Sequence, residues 1–62
     1  MKKYYLTIIA GTQWWTEIVE ADYFSANRGH YSFHMNPGNV VVACYPMNRT
    51  IITKIELIDD EY

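Results

Sequence analysis

The sequence predicts an all-β fold: one small antiparallel sheet whose strands follow one another along the chain. Three observations lead there. β-Branched and aromatic residues gather in five short runs. Turn-forming residues separate those runs. The connections of two to five residues are too short for parallel crossovers, so neighbouring strands pair as hairpins.

The first run is Lys3 to Ala10, closed by Gly11-Thr12. The second extends from Trp14 to about Tyr23 and stops at Ser25-Ala26-Asn27-Arg28-Gly29, where Gly29 suits a positive-φ position. A short helix over Thr16 to Tyr23 would have a polar face of Glu17, Glu20 and Asp22, but Trp14-Trp15 and Ile18-Val19 favour a strand. The third run, His30 to Met35, ends at Asn36-Pro37-Gly38-Asn39, a Pro-Gly pair fit for the centre of a type II turn. The fourth is Asn39 to Tyr45, ended by Pro46-Met47-Asn48, and the fifth is Arg49 to Ile58. The expected architecture is a five-stranded meander, as a curved sheet or an SH3-like partly open barrel, with room for one short helical turn.

The period of two assigns faces. In the third run Tyr31, Phe33 and Met35 oppose His30, Ser32 and His34; in the fifth, Ile51, Thr53, Ile55 and Leu57 oppose Ile52, Lys54, Glu56 and Ile58. Val40-Val41-Val42-Ala43-Cys44 is apolar on both faces, the pattern of a central strand covered by barrel closure or by a partner. Trp14, Thr16, Ile18 and Glu20 alternate with Trp15, Glu17, Val19 and Ala21, a phase that a bulge could reset.

Size limits what can hold such a fold together. Sixty-two residues make one domain, 1–62, with 59–62 an acidic tail. A chain this short buries only about 60% of the surface its unfolded form exposes. Half of its residues are apolar, and six Tyr, two Trp and two Phe deliver large buried areas. Cys44 is the single cysteine, so no intrachain disulfide forms, and one Cys with two His cannot complete a structural zinc site. Association with a second copy is the remaining reinforcement, and a homodimer is expected.

Charge narrows the partners. Five Lys and Arg against seven Asp and Glu give a net charge of −2, and Lys2, Lys3, Arg28, Arg49 and Lys54 form no basic stripe. Duplex nucleic acid is therefore not an expected partner. Asp59, Asp60 and Glu61 make a short acidic end, too little for a DNA mimic. No apolar run is long enough to span a membrane. Met1-Lys2-Lys3 resembles the start of a signal peptide, but the apolar run behind it is short and no cleavage site fits. A lone thiol agrees with a reducing cytoplasm.

Chemistry-bearing residues are sparse. His30 and His34 lie four apart, roughly 13 Å along a strand, too far for one ion. Cys44 sits in the most apolar run and reads as an inert small hydrophobe. Asn48-Arg49-Thr50 matches a glycosylation acceptor, which without a secretory signal is a coincidence of a turn. Glu17, Glu20 and Asp22 supply carboxylates, yet no phosphate loop or nucleophile elbow accompanies them. The expectation is a protein that is not an enzyme and carries no cofactor or metal.

The pair Trp14-Trp15 carries more information. Adjacent strand residues point to opposite faces, so one ring belongs to the core and the other to a surface or a partner, unless a bulge or the hairpin end lets both pack inside. An exposed Trp with Tyr5, Tyr45 and Ile52 would form a partner-binding patch, since Trp and Tyr dominate interface hot spots. The alternative is a ligand site in which Trp14 stacks on a nucleobase while Arg28, His34 or Arg49 meets phosphate.

The segments Glu17-Ile-Val-Glu-Ala-Asp22, Gly29-His-Tyr-Ser-Phe33, Val40-Val-Val-Ala-Cys-Tyr-Pro46 and Thr50-Ile-Ile-Thr-Lys-Ile-Glu56 resemble small phage-encoded β-meander proteins over most of the chain. That resemblance implies an accessory phage product, a class that includes counter-defence inhibitors such as anti-CRISPR proteins and sponges that sequester nucleotide signals. The expected function is binding and inhibition of a host bacterial defence protein through the aromatic surface, in the host cytosol. The alternative is capture of a nucleotide between subunits of a homo-oligomer.

Overall fold

A computed structural model describes residues 1–58; the acidic run Asp59-Asp60-Glu61 lies outside them. The chain forms β1 (Lys2–Ala10), β2 (Gln13–Ala21), β3 (Tyr23–Asn27), β4 (His30–Met35), β5 (Val40–Pro46) and β6 (Thr50–Leu57), with a 3-10 turn at Met47–Arg49 before β6. Every pairing is antiparallel, and the strands form two three-stranded sheets ordered β2-β1-β6 and β3-β4-β5. The all-β class is as expected, and the sheets do not close into a barrel. The single five-stranded meander is not what forms, because β6 returns across the chain to pair with β1.

The sixth strand comes from a segment expected as loop. Small and polar Ser25-Ala26-Asn27 look like turn residues, yet Tyr23–Asn27 pairs along its whole length with β4, from Tyr23 opposite His34 to Asn27 opposite His30. The turn itself is only Arg28-Gly29, both at positive φ (54° and 81°). Two consecutive left-handed residues match the twist of a two-residue hairpin. Phe24 on this strand brings a ring to the core that a loop would have left outside. At the next turn the Asn36–Pro37 peptide is cis, and Gly38 takes the positive φ (92°) that a type II turn wants at its second central position.

A bulge overturns one reading of facing. In β6 the register with β1 shifts between Tyr5 and Leu6: Tyr5 opposes Lys54 while Leu6 opposes Ile52, leaving Thr53 as the extra residue. The Thr53 hydroxyl donates to the Tyr5 carbonyl at 3.1 Å, which pins the bulge. Ile52 therefore joins Ile55 on the side of Leu6 and Tyr4, and Ile51 turns to the opposite side with Thr7. The unbroken face of Ile51, Thr53, Ile55 and Leu57 does not exist. A second bulge, at Val42, shifts β5 against β4 between Phe33 and His34.

The core is small. Tyr4, Leu6, Ile8, Val19, Ala21 and Phe33 are buried, with Phe24, Tyr31, Met35, Ala43, Tyr45 and Ile52 packed around them. Tyr31, Phe33 and Met35 share the core face of β4, as their spacing predicts. The Tyr4 ring from the first sheet sits 5.1 Å from Phe33 and 5.5 Å from Phe24 of the second, centroid to centroid. Edge-to-face and tilted rings at such distances add to the area they bury. These contacts join the sheets, and the Cα envelope of 43 × 24 × 12 Å is a thin slab. A slab this thin leaves many apolar side chains at its surface.

Candidate partner-binding face

The core strand β1 divides the first sheet into two faces. Tyr4, Leu6 and Ile8 point to the core, so Tyr5, Thr7 and Ile9 point away. Cross-strand partners share a face. Outward, Ile9 opposes Trp14, Thr7 lies between Thr16 and Ile51, Tyr5 lies between Ile18 and Lys54, and Lys3 lies between Glu20 and Glu56. This outer face is split along its length. The end near the Gly11-Thr12 hairpin is apolar, with Trp14 69% exposed and Ile9 and Ile51 also exposed, and exposed Ile18 lies beside Tyr5 where the two ends meet. The other end is charged, with the Tyr5 hydroxyl donating to Glu56 at 2.9 Å and the Lys54 ammonium 5.2 Å from the Tyr5 ring centroid.

The five residues expected to form one patch are divided between the two faces. Trp14 and Tyr5 lie on the outer one. Trp15, opposite Ile8, lies on the core side, as do Ile52 and Tyr45, both packed against the core. Trp15 is nevertheless 41% exposed, so neither indole belongs to the buried set. Ile9, Ile18 and Ile51 were not singled out by sequence. Alternation would have found Ile9 and Ile18 once Trp14 was placed outside; Ile51 needed the Thr53 bulge.

Trp15 and Tyr45 are tied together by Glu17. The Trp15 indole N–H donates to Glu17 Oε2 and the Tyr45 hydroxyl to Glu17 Oε1, each at 2.8 Å, and the second bond bridges the two sheets. The bond from Trp15, then that from Tyr45, holds the Glu17 carboxyl below its usual range, against a smaller opposing effect of burial. Burial first, then the bond to Glu17 and its charge, push the Tyr45 phenol up to about 12. The depressed carboxylate contributes stability that is full above pH 4.5 and is lost as pH falls through the lower folded value. The raised phenol contributes stability that is full below pH 10.0 and is lost as pH rises towards 12. Tyr45→Phe should move the Glu17 carboxyl titration up towards its usual value, as followed by carboxyl carbon NMR, and remove the share of the alkaline loss that Tyr45 contributes.

The residues of the ligand alternative occupy separate places. Arg28 and Arg49 lie towards one end of the molecule, where the Gly29 carbonyl accepts from the Met47 amide at 2.8 Å and so docks the β3–β4 turn on the 3-10 turn. His34 lies at the far end of β4, its ring stacked on Tyr23 at 4.7 Å, and Trp14 is on the first sheet. Ser25 Oγ and His34 Nε2 are 3.0 Å apart, a hydroxyl–imidazole pair, but the buried His34 Nδ1 has no hydrogen-bond partner to orient the ring. Among the described residues there is no pocket beside this pair, no group of side chains with metal-ligand geometry, and no helix long and apolar enough to cross a membrane. Comparison with protein-family models, with curated proteins and with solved structures finds no match to this chain.

Proposed function

We propose that this chain is a non-enzymatic binding module that grips a protein partner with the apolar end of its outer sheet face, in the role of an inhibitor or adaptor. One observation carries the reading: Trp14 stands 69% exposed opposite Ile9, and exposed Ile51 and Ile18 lie further along the same face of the first sheet, turned away from the core. A domain with so little core gains stability by burying large apolar side chains, so four left outside on one face point to use elsewhere. Trp is enriched in interface hot spots, and apolar contacts bounded by a polar rim are the plan of an interface. The charged end, Lys3 with Glu20 and Glu56, supplies a rim that would orient the partner. The resemblance to small phage proteins suggests the partner's class, a host bacterial defence protein.

The test is affinity capture from bacterial lysate with the tagged chain, comparing wild type, Trp14→Lys and a control, Cys44→Ser, on the other sheet. A stoichiometric partner held by wild type and control and lost with Trp14→Lys supports the reading. The same partner held equally by all three overturns it.

A further inference from the structure

The edge strand β5 is built like an interior strand. It carries Val40, Val41, Val42, Ala43 and Cys44 in succession, and the three valines are each about half exposed. A covered, central position was expected for it; in the sheet order β3-β4-β5 it has a neighbour on one side only. Exposed edges in native proteins are usually blunted by charge, shortness or irregularity. The other three follow that rule: β2 bears Glu17 and Glu20, β6 bears Lys54, Glu56 and the Thr53 bulge, and β3 has five residues with polar Ser25 and Asn27. β5 has seven residues and no charge, and its irregularities are the bulge at Val42 and Pro46 at its end, which leave Val40 to Tyr45 open to pairing.

We infer that β5 pairs antiparallel with β5 of a second copy of this chain, joining two three-stranded sheets into one of six strands across a two-fold axis. The occupant of this edge must be a strand that tolerates apolar neighbours on both faces. β5 itself has that character, and self-pairing about a two-fold brings no like charges together. The bulge selects the register. Val40 opposes Met35 and Tyr45 opposes Tyr31, both on the core side; Val41 opposes His34 and Cys44 opposes Ser32, both on the far side. Residues opposite one another across a strand pair share a face, so the axis lies between Val42 and Ala43. That placement sets Val40 against Tyr45 of the second copy, Val41 against Cys44 and Val42 against Ala43. It is the longest self-pairing that keeps the two faces in phase, and it leaves the Trp14 face of the first sheet free.

Sedimentation and disulfide trapping test the edge and its register together. Wild type should sediment as twice the 7.3 kDa chain. Val41→Lys should shift it to the single-chain mass while its circular dichroism stays that of strands. Opposed residues in an antiparallel pair have Cα atoms about 4.5–5.5 Å apart, within disulfide range. Val41→Cys should therefore form a covalent dimer with native Cys44 on mild oxidation, visible on a non-reducing gel and lost in Val41→Cys/Cys44→Ser. A single-chain mass for wild type across a concentration series would overturn the inference. A dimer untouched by Val41→Lys, or one dissolved by Trp14→Lys instead, would overturn it equally. A dimer in which Val41→Cys fails to cross-link would overturn the register.

Discussion

Phe33→Ala should strip the protein of a large part of its stability. Phe33 is 0% exposed and stands at the junction of the two sheets, with its ring 5.1 Å from Tyr4, 5.9 Å from Phe24 and 6.0 Å from Tyr45. Truncating a buried Phe costs about 3–5 kcal/mol through lost transfer energy and the cavity left behind. At roughly 0.05–0.15 kcal/mol per residue, a domain of this length holds about 3–9 kcal/mol in total. The loss is thus a large part of what is available, and all of it at the lower end of that range. In a larger protein neighbouring layers could partly collapse into the hole; a slab with six buried apolar residues has few to spare. Phe33→Leu, which keeps most of the volume, should be milder and still fold. Urea denaturation followed by circular dichroism measures both, and a loss below about 1 kcal/mol for Phe33→Ala would contradict this account of the core.

Trp14→Ala should do the reverse, sparing the fold and abolishing partner binding. The indole is 69% exposed, and substitutions at exposed positions usually change stability by no more than about 0.5 kcal/mol. Its neighbours on the outer face are Ile9 directly opposite and, across the β1–β2 pair, the Thr7–Thr16 row, none of which belongs to the core cluster. At an interface centre, removing a Trp costs about 2 kcal/mol or more, which is roughly thirtyfold or greater in Kd. Ile18→Ala and Ile51→Ala should weaken the same complex less, because they lie further along the face from the ring. Titration of purified partner against each variant, beside a thermal melt of each, separates lost contact from lost fold. Binding that survives Trp14→Ala with unchanged affinity would remove this face from consideration.

What could be read from the chain was local. Runs of β-branched and aromatic residues placed five of the strands, and the positive φ at Gly29 followed from its turn. Alternation in β4 gave the core face of Tyr31, Phe33 and Met35, and the adjacency of Trp14 and Trp15 required opposite faces. Three features escaped because they depend on distant neighbours. Ser25-Ala26-Asn27 became a strand because β4 offered a full row of partners, and small polar residues do not forbid pairing. Thr53 became a bulge because β1 and β6 must fit both Tyr5 and Leu6, which no pattern within β6 reveals. The valine run of β5 carries the composition of a covered strand, but its cover is not within the described chain. The same limit applied to the site. Trp14, Trp15, Tyr5, Tyr45 and Ile52 were chosen for their chemistry, and only register could separate Trp14 and Tyr5 from the rest.

Fluorescence of Trp14 alone is the most direct test of the binding face. In Trp15→Phe the indole of Trp14 is the sole tryptophan, and acrylamide quenching reports its contact with water. The isolated protein should show an indole quenched almost as freely as in a short peptide, and addition of the captured partner should shield it and shift its emission to the blue. An indole already shielded in the isolated protein, or one still freely quenched in the complex, would contradict the account.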